Sequence, residues 1–134
     1  MSIAAHKDPR VIAHGAEVLA EMRDLSKALV YAAVLTDDGF EVVRLAKSTA
    51  DGGRFASMAS SMQALSDAVA RELHIGSSQY TIIASESGHV VQLRVPEHPL
   101  VLSALFDDDE TLGKALAISR QTAERMAAIL TPAS

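Results

Sequence analysis

Gln79–Phe106, QYTIIASESGHVVQLRVPEHPLVLSALF, decides the architecture. Three short apolar runs, Gln79 to Ser85, His89 to Val95 and Leu100 to Phe106, are separated first by Ser87 and Gly88 and then by a loop holding Pro96 and Pro99. Such punctuation between short runs predicts a three-stranded antiparallel meander. The first run carries neither charge nor proline. At a sheet edge its free N–H and C=O groups would form an unguarded pairing template. An interior position is the alternative, and the sequence by itself does not order the strands.

Upstream of the meander, Ala28 to Thr36 is apolar on both parities, as in a strand covered on both faces, and Asp37, Asp38 and Gly39 follow. Asp-Gly suits a tight hairpin. The return strand, Phe40 to Leu45, alternates Phe40, Val42 and Arg44 with Glu41, Val43 and Leu45, and its charges suit an edge. A polar loop, Lys47 to Gly53, leads into a long helix. There Phe55, Met58, Met62, Leu65, Val69 and Leu73 step by three and four, which predicts a core-facing stripe, and Gly76 is expected to end the helix in the left-handed position.

The two ends of the chain add a helix each. Asp8 before Pro9 places an N-cap acceptor ahead of a proline at the first helical position, and Val11, Val18, Met22 and Leu25 continue at helical spacing. Gly15 weakens this helix by about 1 kcal/mol relative to alanine. Asp107 to Glu110 are expected to open the last helix, with negative charge at its positive end. Leu112, Leu116, Ala123, Met126 and Leu130 form one face of it, before Thr131 and Pro132 stop it. Helix, hairpin, helix, meander, helix makes an α+β domain with one five-stranded antiparallel sheet. With 134 residues, 49% of them apolar, the chain is expected to be a single domain over 1–134 with a core at about 9–131.

Composition narrows the function. Twelve Lys and Arg against seventeen Asp and Glu give a net charge of −5, a field that repels phosphate backbones, so no nucleic-acid partner is expected. The longest apolar run, Ala28 to Leu35, is far short of the roughly twenty residues that cross a bilayer. Lys7, Asp8 and Arg10 leave no apolar signal core, and the absence of cysteine excludes disulfides. A cytoplasmic protein without membrane insertion is the expectation.

No catalytic constellation emerges. His6, His14, His74, His89 and His98 include no pair at i, i+4, and no cysteine assists them. The acidic run Asp107 to Glu110 lacks the alternation and central glycine of a calcium loop, so helix capping is its expected role. Gly113 and Lys114 lack the preceding glycine and following hydroxyl of a phosphate loop. Gly52, Gly53 and Arg54 offer backbone N–H groups to an anion, with a flexible loop as the alternative. The expectation is therefore no enzyme, no metal and no cofactor.

Two features ask for a partner instead. One is the uncharged strand at residues 79–85. The other is a second stripe of the long helix, Ala56, Ala59, Gln63, Ser66 and Ala70, whose small side chains would let another helix come close. An ordinary exposed flank is the bland alternative. Together they predict a two-fold homodimer in which the strand pairs with its own copy.

The Asp37–Gly39 hairpin, the alanine- and serine-rich helix from Arg54, the strand pair around Ser87 and Gly88, and Thr111, Leu112 and Gly113 opening the last helix together resemble a roadblock domain. This is the family of dynein light chain and of prokaryotic regulators of Ras-like GTPases, and the resemblance covers about residues 9–131. It implies strand order 2-1-5-4-3, with the long helix on one face and the other two helices on the opposite face, as in profilin-like folds. It also implies dimerisation through the third strand and long helix, with Ala59, Gln63, Ser66, Tyr80 and Ile82 on the dimer surface. A non-enzymatic adaptor for a small Ras-like GTPase follows as the expected function, with Arg54 and Arg71 as candidate contacts. A small-molecule sensory domain and a scaffold for motor or filament proteins are the alternatives.

Overall fold

The computed structural model describes residues 4–46 and 52–132; most of the expected polar loop, 47–51, lies outside the described residues. A 3-10 turn, Ala5–Lys7, precedes helix α1, Pro9–Leu25. The Asp8 carboxylate accepts from the Arg10 N–H at 2.9 Å, the cap that the Asp-Pro pair predicts. Strand β1, Leu29–Thr36, is buried at every position but Val30. Its hairpin to β2, Glu41–Ala46, turns through Gly39 at φ +94°, a conformation that glycine adopts without strain.

The β1–β2 register shifts between Val34 and Leu35, which pair with Val43 and Glu41, so Val42 is an extra residue on β2. This bulge breaks the alternation expected from the sequence: Val42 and Val43 both pack into the core beneath α1. Gly15 explains itself here. A Cβ at that position would lie 2.7 Å from Val43 Cγ1, so the helix gives up propensity to bring α1 down onto the edge strand.

Helix α2, Gly52–Glu72, is followed by the meander β3, Tyr80–Ser85, β4, Gly88–Arg94, and β5, Leu100–Asp107. The antiparallel sheet has the order β2-β1-β5-β4-β3, so β3 is an outer strand and the interior alternative falls away. Helix α3, Leu112–Leu130, lies beside α1; Arg125 Nε reaches Glu21 at 3.3 Å, and the Arg10 guanidinium donates to the Leu130 carbonyl at 3.3 Å. Leu19, Met22, Leu29, Val91, Leu102, Phe106 and Met126 form the main core between these two helices and the sheet. The smaller cluster on the opposite face joins Tyr31, Ala33, Leu35 and Val101 to Ala56 and Ala59 of α2.

Two helix ends differ from expectation. α2 stops before Gly76: His74, at φ +55°, takes the left-handed position, with its N–H on the Arg71 carbonyl and the Ile75 N–H on the Ala70 carbonyl. This is the paired hydrogen-bond pattern of a Schellman turn. At α3 the cap is Thr111, whose hydroxyl accepts from the Lys114 N–H at 3.2 Å. Asp107 to Glu110 instead form the preceding turn, where the Asp107 carboxylate accepts from the Asp109 N–H. Glu110 is buried and accepts from the Ser26 hydroxyl at 2.6 Å, tying the end of α1 to the start of α3.

Candidate interaction surface

α2 carries two stripes of the same period, and the sheet takes the one not expected. Ala56, Ala59, Gln63 and Ala70 are buried against the chain's own sheet, Ala59 at 2% exposure. Met58, Leu65, Val69 and Leu73 point outward, Leu65 at 66% and Leu73 at 60% exposure. Of the expected core stripe, Met58, Leu65, Val69 and Leu73 thus face outward, while Phe55 and Met62 are half-buried and Phe55 packs on the inner cluster; the expected outer stripe, Ser66 half-buried, is the inner one. The reason lies in the sheet beneath. Gln92 of β4 is fully buried on this face, donating to the Ala59 carbonyl at 2.8 Å and to Gln63 Oε1 at 3.2 Å. Small and amide side chains on α2 leave room for that side chain and accept from its Nε2, while its Oε1 has no partner among the described residues.

The polar contacts continue along the helix. Gln63 Nε2 donates to Asp67 at 3.1 Å, and Arg94 of β4 pairs with Asp67 at 2.7 Å and with Asp37 of the β1–β2 turn. The two carboxylates hold the Arg94 guanidinium still more firmly protonated, outweighing the desolvation that opposes it. Ser66 and Thr81 exchange a 2.6 Å hydroxyl hydrogen bond between α2 and β3. Near the start of α2, the Tyr31 ring packs on Phe55 at 4.2 Å and its hydroxyl donates to Glu41 at 3.1 Å. Burial first, then the Glu41 charge, pushes that phenol up to about 12.

Of the expected interface residues, Tyr80 is exposed, Ile82 and Ser66 are half-buried, and Ala56, Ala59, Gln63 and Ala70 are spent inside the protomer. What sequence reasoning missed is the apolar surface itself: Leu65, Val69, Leu73 and Ile75, continued by Tyr80 and by Ile83 at 45% exposure. A groove of about 530 Å³ runs between α2 and β3, lined by Leu65, Val69, Ala70, Ile75, Tyr80 and Ile82 among others. The signal is present as two rival stripes of equal period, and the side chains of the sheet that meet α2, Gln92 among them, discriminate them.

The remaining candidates do not converge. Arg54 and Arg71 are exposed at opposite ends of α2, about 25 Å apart along the axis. Gly52 opens the helix, so Gly52, Gly53 and Arg54 form its first turn. Asp107, Asp108 and Asp109 bring one carboxylate oxygen each within 4.8 Å of one another, in a largely exposed turn. Among the described residues no helix is long and apolar enough to cross a membrane.

A five-stranded antiparallel sheet of order 2-1-5-4-3, with one helix on one face and two on the other, is the fold of a roadblock-type domain. Among solved structures the chain is similar to the gliding protein MglB from Thermus thermophilus at 22% identity and a TM-score of 0.75, over 96% of this chain and 93% of that one. MglB with a tetrameric arrangement matches at 23% identity and a TM-score of 0.74, over 96% and 92%. A Roadblock/LC7 domain from Streptomyces avermitilis matches at 12% identity and a TM-score of 0.71, over 84% and 92%. No protein-family model matches the sequence, and no curated protein matches it either.

Proposed function

We propose that the chain is a homodimeric adaptor, without chemistry of its own, that binds a small Ras-like GTPase and alters its nucleotide state or location. The observation that carries this is the continuous apolar strip from Leu65 to Ile75 of α2 and its C-terminal turn across to Tyr80 and Ile83 at the sheet edge. An exposed apolar patch of this extent beside an open strand marks an association surface. The roadblock-type fold supports the choice of partner, because the resemblance to that family includes prokaryotic regulators of Ras-like GTPases. The similar MglB with a tetrameric arrangement supports self-association. As an activator the protein would act by ordering the switch loops of the GTPase, with Arg54 and Arg71 as contacts offered from the two ends of α2.

Sedimentation should give twice 14.2 kDa for the wild-type chain. The double variant Leu65→Glu, Leu73→Glu should sediment as a folded monomer, because both side chains are exposed in the protomer. Affinity capture with a Ras-like GTPase encoded beside this chain tests the second half. A wild-type monomer at high micromolar concentration removes the dimer. Failure to bind such a GTPase in either nucleotide state, together with unchanged hydrolysis, removes the adaptor role.

A further inference from the structure

Apart from the apolar strip, one cleft gathers charges of both signs. It lies where the β1–β2 turn and the end of β4 meet the last turns of α2 and the loop before β3. Asp37, Asp67, Arg71 and Arg94 line it together with the loop from Gly76 to Ser78, around about 490 Å³. That volume falls within the roughly 300–1,000 Å³ of small-molecule sites.

Local structure orders these charges. Asp67 and Arg71 stand four residues apart on α2, which makes them neighbours on one helix face. Arg94, the last residue of β4, is clamped between Asp67 at 2.7 Å and Asp37 of the hairpin turn. Asp37, Arg94, Asp67 and Arg71 therefore follow one another with alternating sign. Asp37 spends Oδ1 on Arg94, and its Oδ2 accepts from no group among the described residues. Arg71 forms no ion pair among them. The N–H groups of Gly76, Ser77 and Ser78 and both serine hydroxyls likewise donate to nothing among them. Gly76, at φ +87°, turns this loop, and successive N–H groups of a turn make a concavity for an anionic group.

The two carboxylates and two guanidinium groups cancel, so the cleft as a whole attracts neither an anion nor a cation. A molecule that carries both charges on one carbon finds a partner for each. We propose that this cleft binds a free α-amino acid with a polar side chain, its carboxylate held by Arg71 and the Gly76–Ser78 loop and its ammonium by Asp67 and the Oδ2 of Asp37. Both ends then make charge-assisted hydrogen bonds, the stronger kind. The polar side chain follows from the walls, where Ala70 is the one apolar side chain among the described lining residues. This site stands apart from the homodimer and GTPase readings, sharing only Arg71 with the latter.

Titration calorimetry of the wild-type chain with serine, asparagine, glutamine and glutamate should show saturable binding of at least one of them at millimolar concentration. The methyl ester and the N-acetyl derivative of that amino acid each lose one charge and should bind at least about tenfold more weakly. Arg71→Ala and Asp37→Asn should each weaken binding by about tenfold or more, with part of the loss recovered in Arg71→Lys. Arg71 is exposed, so Arg71→Ala should melt like the wild type without ligand, which keeps the test readable if Asp37→Asn loosens the hairpin. Binding of none of the four amino acids overturns the site. Inorganic phosphate binding as tightly as the amino acid reduces the cleft to a plain anion site and overturns the proposal, as does an affinity unchanged in Arg71→Ala. Sedimentation and GTPase capture do not depend on this ligand, so each of these failures leaves the adaptor reading standing.

Discussion

Under α1 and α3 the sheet meets Leu19, Met22, Ile118 and Met126, whereas under α2 it meets Ala56, Ala59, Gln63 and Ala70. The first layer is an apolar core that includes Phe106 and Leu102. The second is a smaller contact in which Phe55 packs on Tyr31 and small side chains line most of the rest, stitched by Gln92, Arg94 and the Ser66–Thr81 hydroxyl pair. The difference teaches that one helix can serve two surfaces. By lying on the sheet with its small stripe, α2 keeps Leu65, Val69 and Leu73 for contacts outside the protomer, where an inward orientation would have buried them and left a polar seam unsatisfied.

Truncations measure that contrast most directly. Phe106→Ala, in the fully buried layer, should cost about 3–5 kcal/mol in urea unfolding. Gly15→Ala should cost about 1–3 kcal/mol despite its better helix propensity, because the new methyl meets Val43 beneath α1. Thermal melts of this variant paired with Val43→Ala test the cause, since shortening Val43 should restore part of the loss.

The α2 side responds to pH and salt instead. Tyr31 holds its proton up to about 12 in the folded chain, above the ordinary value of 10.0. The stability from that shift is complete below pH 10 and is lost as pH rises toward the folded value, since the unfolded phenol ionises first. Urea titrations across this range should fall for the wild type and flatten for Tyr31→Phe. Arg94→Gln, which removes two partly exposed ion pairs, should cost about 1 kcal/mol or less, and molar salt should erase most of the difference from wild type. Leu65→Ala should change protomer unfolding by less than about 0.5 kcal/mol, measured at concentrations low enough to keep the chain monomeric. A core-sized loss at Leu65 would erase the distinction between the layers.

Much of the fold is legible in local chemistry. Asp8 and Pro9 set the start of α1, Asp37 to Gly39 set the hairpin, and the punctuation at Ser87–Gly88 and Pro96–Pro99 cuts the meander into its three strands, within a residue or two of the observed ends. The end of α2 is not legible, because His74 accepts a left-handed backbone that is expected of glycine, two residues before Gly76. The acidic run misleads because Thr111, with its hydroxyl one residue ahead of the helix, caps α3 while Glu110 turns inward to Ser26.

The candidate surface is legible only as a choice between two stripes. Both recur every three to four residues, so periodicity says that α2 is amphipathic in two directions and no more. Element order, helix starts, turns and the uncharged character of residues 79–85 belong to the sequence alone, because each depends on neighbours along the chain. Which strand lies at the edge, which valines share a face across the bulge, and which stripe of α2 looks outward belong to the tertiary structure. Those outcomes depend on what stands opposite across the sheet, and for α2 that includes Gln92, whose buried side chain donates to the Ala59 carbonyl and to Gln63 on the small-residue face of the helix.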